Sequence, residues 1–195
     1  MSTPGLVGGE AREPIRARRL FFALWPDAAL RESVAAATHD LARCGGGRPQ
    51  TPDQLHLTLI FLGSVPEARI DAASSAAGEA GGAPFVVDLD RLEYWARPRV
   101  LCLTTSRTPS SLLGLVESLA TALRARGFEV ERRPFRAHLT LARDARPPPR
   151  DQAIAPLAWP ASEFVLVESV TDRAGARYRP LARWLLAAAA PAATD

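Results

Sequence analysis

The chain has 195 residues, with 24 basic and 21 acidic side chains, three histidines and a formal charge of +3; 47% of it is hydrophobic. That apolar content supports a core of ordinary size and excludes a disordered or fibrous polymer, whereas so small a net charge excludes no class of partner. Every basic residue is an arginine, a side chain whose planar fork grips phosphate in two places at once.

In chain order, residues 1–15 mix proline, glycine and charge without periodicity and read as a disordered tail; a single domain is expected over 16–188 and a frayed end over 189–195. Leu20 to Trp25 is a short apolar strand, and Asp27 caps a helix carrying Leu30, Val34, Ala37 and Leu41 at helical spacing, stopped by Gly45 to Gly47. Leu55 to Leu62 is a second strand, closed by Gly63, and Pro66 to about Gly78 a weaker, alanine-rich helix. Phe85 to Leu89 and Val100 to Thr104 read as strands joined by a polar, aromatic stretch around Tyr94 and Trp95. Leu112, Leu115, Val116, Leu119 and Leu123 make the clearest helical stripe, with Gly127 as its stop. His138 to Ala142 is a strand, followed by an exposed loop at Pro147, Pro148 and Pro149. Phe164 to Val170 is a late strand, and Tyr178 to about Ala188 a short helix or an extended closing segment. Irregular alternation of this kind favours α+β with antiparallel sheet over a wound parallel fold.

Cys44 and Cys102, the only cysteines, give neither a disulfide framework nor a zinc cluster. No apolar run reaches the roughly 18 residues of a membrane span, so a cytoplasmic protein is the expectation. No Gly-rich phosphate loop is present.

One feature occurs twice. His56-Leu57-Thr58-Leu59 returns 82 residues later as His138-Leu139-Thr140-Leu141. Side chains of a strand alternate faces at about 3.3 Å per residue, so His56 and Thr58 share one face, about 6.6 Å apart, while the leucines take the other. The second copy has the same arrangement. A histidine beside apolar residues is more often structural than catalytic, and threonine is simply a good strand former; the recurrence of the whole face favours chemistry. Two such strands brought face to face set two imidazoles and two hydroxyls around one cleft, the composition expected for a phosphate held between an acid and a base. Neither motif carries an acidic ligand, so no metal or cofactor is expected. His39 fits no repeat.

On these blocks the chain resembles the 2H phosphoesterase superfamily, and within it the RNA 2',3'-cyclic phosphodiesterases once named 2'-5' RNA ligases. The resemblance runs from about Arg19 to Leu186. It is carried by Arg19-Leu20-Phe21-Phe22-Ala23-Leu24, by Leu55 through Gly63, by Phe135-Arg136-Ala137-His138-Leu139-Thr140-Leu141-Ala142-Arg143, and by Tyr178-Arg179-Pro180-Leu181. The chain departs from relatives at Ala137, where they usually carry proline. The resemblance implies a bilobal α+β fold, two pseudo-symmetric lobes each with an antiparallel sheet and helices, and a cleft between them. It also implies metal-independent hydrolysis of a terminal 2',3'-cyclic phosphate to a 2'-phosphomonoester, with His56 and His138 catalytic and a reversible 2'-5' ligase reaction on RNA such as tRNA fragments. Thr58 and Thr140 are expected to bind phosphate. Arg143 is the accessory candidate, although strand alternation starts it on the face opposite His138. Arg133 and Arg136 are candidates for the RNA backbone, and Phe135 and Tyr178 for base stacking. The rivals are a related enzyme for a small cyclic nucleotide or cyclic ADP-ribose phosphate, and a non-catalytic module that binds RNA ends. A monomer without an obligate protein partner is expected.

Overall fold

The computed structural model describes residues 16–44, 46–147, 153–172 and 175–187; both expected tails, and most of the loop at Pro147 to Pro149, lie outside them. Strand β1 (Ala17–Leu24) leads into helix α1 (Ala28–Cys44), whose first turn is capped as expected: the Asp27 carboxylate accepts the Leu30 amide at 2.7 Å. Such a cap contributes about 1 kcal/mol. A two-residue strand β2 (Arg48–Pro49) precedes β3 (Leu57–Pro66), and α2 (Ile70–Glu79) follows after a short 3-10 turn.

The next strand corrects the sequence reading. β4 runs unbroken over Phe85–Trp95, so Tyr94 and Trp95 belong to the strand itself and a tight turn leads to β5 (Val100–Thr104). Helix α3 (Ser110–Ala125) buries Leu112, Leu115, Leu119 and Leu123 and ends before Gly127, whose φ of 71° no other residue takes as easily. Then come β6 (His138–Arg143), β7 (Ala153–Ala161), β8 (Glu163–Asp172) and β9 (Gly175–Leu185). The closing segment is therefore a strand, and β7 was not foreseen.

The strands form one antiparallel array in the order β7-β4-β5-β6-β3-β1-β8-β9, with β2 beside β6. It is two four-stranded sheets joined at a narrow seam: β3 and β6, the two motif strands, pair only through Leu57 and Leu139. The halves mirror one another, with β6, β5 and β4 answering β3, β1 and β8. The main core lies on the helical side, where Leu57, Leu59, Leu139 and Leu141 meet Leu20, Phe22, Leu101, Leu103 and the helices. α1 packs on β6 and α3 on β3, so each motif strand is backed by the helix that precedes the other. The opposite face carries the polar half of both motifs. This is the bilobal α+β architecture that the sequence led us to expect.

Candidate active site

The seam fixes the geometry. With Leu57 opposite Leu139, one further step of the same antiparallel register sets His56 against Thr140 and Thr58 against His138. The two hydroxyls and two imidazoles thus occupy the corners of a square on the non-helical face. The histidines stand on its diagonal, where cross-strand neighbours ordinarily lie about 7–8 Å apart. All four line one cavity of about 120 Å³, together with Trp95, Pro98, Val100 and Arg143.

Each ring is held by the same short device. His56 Nδ1 lies 2.7 Å from the carbonyl oxygen of Gln54, and His138 Nδ1 lies 2.8 Å from that of Arg136, in both cases two residues upstream. A carbonyl only accepts, so Nδ1 must carry the hydrogen and Nε2 is left as the lone-pair nitrogen of the neutral ring. Both motifs therefore set the tautomer that a proton acceptor needs. Ala137 is buried at the entry to β6 and the His138 bond forms without proline there.

The surroundings differ. His56 sits among Trp25 (stacked, 5.8 Å), Phe21 (4.9 Å) and Tyr178 (edge-on, 4.8 Å). Burial against these rings pushes its pKa down from 6.5 to about 4; the Gln54 carbonyl opposes the shift, and the nearby Arg143 and His138 charges deepen it. His138 packs on Trp95 at 4.6 Å, and burial lowers its pKa too, against the Arg136 carbonyl. The Arg136 and Arg143 charges lower it further, while the Glu93 carboxylate raises it. Glu93 is the hub of this second wall: it accepts from Trp95 Nε1 at 2.8 Å, Thr104 Oγ1 at 3.0 Å and Arg136 at 2.9 Å. The Arg136 guanidinium also lies over the Trp95 ring. Both shifts favour the neutral form of the rings near neutral pH, and an anion bound beside them would act in the opposite direction.

Arg143 reaches the cavity through a β-bulge. In the β5–β6 ladder Cys102 faces Thr140 while Leu101 faces Ala142, which leaves Leu141 as an extra residue. The bulge inverts the alternation, and Arg143 emerges on the face of His138 and Thr140. The equivalent residue of the first motif does the same: Ala23 faces Thr58 and Phe22 faces Ile60, with Leu59 extra. A bulge at the last leucine of each motif is invisible to strict alternation, which is why Arg143 started on the wrong face.

Among the other candidates, Tyr178 touches His56 as described. Arg136 is engaged by Glu93 and Trp95. Arg133 is exposed and paired with Glu131, and Phe135 packs against the main core; neither lines the cavity. The sequence alone does not assign Trp25 or Trp95 to the site and does not point to Glu93, Pro98 or Val100. The signal available was that Glu93 and Trp95 alternate with Tyr94 in what proves to be one strand. Cys102 is buried with its thiol pushed up to about 12, in keeping with a structural role. Among the described residues no group of three or more histidine, cysteine or acidic side chains could hold a metal ion, and no helix is long and apolar enough to cross a membrane.

The family model described as "LigT like Phosphoesterase" matches twice in succession, over residues 24–102 and 103–178, one histidine motif in each copy. An RNA 2',3'-cyclic phosphodiesterase of Escherichia coli is 37% identical over 176 residues, covering 87% of this chain and 97% of that protein. One from Thermus thermophilus is 32% identical over 181 residues, covering 86% and 90%. Among solved structures, LigT of Escherichia coli complexed with 3'-AMP superimposes with a TM-score of 0.80 at 34% identity, covering 88% of this chain and 99% of that one.

Proposed function

Because the chain belongs to the LigT-like phosphoesterases, we propose that it is an RNA 2',3'-cyclic phosphodiesterase working by two-histidine acid–base catalysis without a metal. The observation that carries the mechanism is the pair of identically locked rings on one phosphate-sized cavity with a threonine hydroxyl beside each.

Water attacks the cyclic phosphate in line, and its proton passes to Nε2 of one histidine. The bond from phosphorus to the ribose 3'-oxygen breaks on the opposite side, and the other histidine, protonated, delivers its proton to that oxygen. The product is a 2'-phosphomonoester, and the enzyme ends with the proton transferred between its rings. With the 5'-hydroxyl of a second RNA in place of water, the same attack and the same cleavage of the bond to the 3'-oxygen join the ends in a 2'-5' linkage, and the reverse of that step cleaves the linkage and restores the cyclic phosphate. Thr58 and Thr140 donate hydrogen bonds to the nonbridging oxygens, and Arg143 supplies the fixed positive charge that the transition state requires. Arg143 also offsets part of the metal's usual electrostatic work.

The test is turnover of an RNA oligonucleotide with a 2',3'-cyclic end in the presence of a chelator, with a small cyclic nucleotide as comparison. The expected result is hydrolysis to a 2'-phosphate that excess EDTA leaves unchanged. Activity abolished by EDTA and restored by Zn²⁺ or Mg²⁺ would sink the metal-free mechanism. Tight binding of the RNA end without turnover between pH 5 and 8 would turn the assignment to a binding module.

A further inference from the structure

The duplicated bulge makes a comparison that the sequence does not. Beyond Leu141 the first residue back on the cleft face is Arg143, and beyond Leu59 it is Phe61. Phe61 pairs with Phe21, itself on the His56 side of the sheet. The motif strands run antiparallel from the Leu57–Leu139 seam, so Arg143 and Phe61 mark opposite ends of the cleft. The pseudo-symmetry is therefore also broken at this position: a guanidinium follows the second motif, a benzene ring the first.

Phe61 is 47% exposed, although its neighbours Leu59 and Ile60 are buried. The guanidinium of Arg19 lies over its ring, 4.7 Å from the centroid. Arg18, one residue earlier, is engaged by Glu67 and Glu168, whereas Arg19 is exposed and has no carboxylate within ion-pair distance among the described residues. An exposed ring with an unneutralised cation beside it, on the same face of β3 as Thr58 and three residues beyond it, offers the two elements that grip single-stranded nucleic acid: a stacking surface and a charge for the backbone.

We propose that Phe61 and Arg19 form a second nucleotide subsite, stacking the base and binding the backbone phosphate of the residue next to the one that bears the cyclic phosphate. The inference rests on the reading of the chain as an RNA-end phosphodiesterase and gives its cleft a direction. The reacting phosphate lies toward Arg143, and the strand leaves over Phe61. The enzyme then favours oligonucleotides over a cyclic mononucleotide, which occupies the central square alone.

The experiment compares a 2',3'-cyclic mononucleotide with a trinucleotide ending in the same cyclic nucleotide. Wild-type turnover of the mononucleotide tests the chemistry; the ratio between the substrates tests the subsite. Phe61→Ala is expected to raise KM for the trinucleotide at least about 5-fold and to leave the mononucleotide within about 2-fold. Phe61→Leu, apolar but unable to stack, behaves like Phe61→Ala, and Phe61→Trp retains the wild-type ratio, which separates stacking from packing. Arg19→Gln raises KM for the trinucleotide and flattens its dependence on salt. Equal losses on both substrates, or a wild-type enzyme with no preference for the trinucleotide, would overturn the proposal.

Discussion

At the scale of single residues, a hydrogen bond to a carbonyl two positions upstream decides which histidine nitrogen faces the chemistry. His56 and His138 share that bond but not its surroundings: rings crowd the first, and a carboxylate backs the second. Replacing either by alanine removes a proton-transfer group, and kcat on a cyclic-ended RNA is expected to fall by at least ~100-fold in protein that circular dichroism shows to be folded. Thr58→Val or Thr140→Val keeps the branched shape and deletes only a donor, for a loss of roughly 10-fold. A folded His138→Ala protein that keeps most of its kcat would refute the two-histidine mechanism. The pH dependence follows from the lowered pKa values. The free enzyme is active with one ring protonated and one neutral, a form most populated between the two limbs that the pair titrates with. Burial lowers both, His56 to about 4, so kcat/KM should peak below the 6.5 of a free imidazole. A bound phosphate anion raises both, so kcat should peak at a higher pH. Profiles from pH 4 to 9 check this, and coincident maxima would contradict it.

At the scale of elements, the motif strands do their work through an irregularity. The leucines of both motifs were legible as core residues because period-two alternation held through Thr58 and Thr140. It failed one residue later, at bulges that no propensity announces. β7 escaped notice for a related reason: Pro156 and Pro160 argue against a central strand, yet β7 is an edge of the array, where a missing amide costs no ladder bond. The long β4 was hidden because Asp88, Asp90, Arg91 and Glu93 look like a loop until pairing on both sides, with β5 and β7, makes them the polar face of a strand. The end of β6 depends on Gly47. Its φ is 91°, and a Cβ there would lie 2.5 Å from the Arg143 carbonyl oxygen; Gly46 has φ 59° and open space around it. Gly46→Ala should cost only the backbone strain, about 1–2 kcal/mol. Gly47→Ala should cost more in urea denaturation and also raise KM, because the clash displaces the strand that carries Arg143. Equal stability of the two variants would show that β2 does not hold that strand end in place.

At the scale of the whole molecule, the duplication explains why so short a motif specifies so much. Two antiparallel halves exchange their backing helices, and each motif strand presses its leucines into a common core while turning its histidine toward the shared seam. The repeat and its faces were therefore readable in the sequence. The partner strands were not, because β4 and β8 leave the half that precedes them in the chain and pair in the other. The same economy places titratable groups where folding desolvates them. His56 binds its proton with a pKa of about 4 in the folded protein, against 6.5 for the ordinary side chain, so between these values the unfolded chain holds more protons than the folded one. The stability from a neutral, half-buried His56 is complete above pH 6.5. It is lost as pH falls toward 4, by about 3 kcal/mol in all, and His138 shifts in the same direction. Denaturant unfolding at pH 7.5, 5.5 and 4.5 is expected to show this decline, with carboxylate protonation adding to it only at the lower end. His56→Gln keeps a polar side chain but cannot titrate, so its stability should fall less across the same interval. Slopes that are identical for the variant and the parent would place the pH sensitivity elsewhere and remove the physical basis for a neutral His56 in the empty cleft.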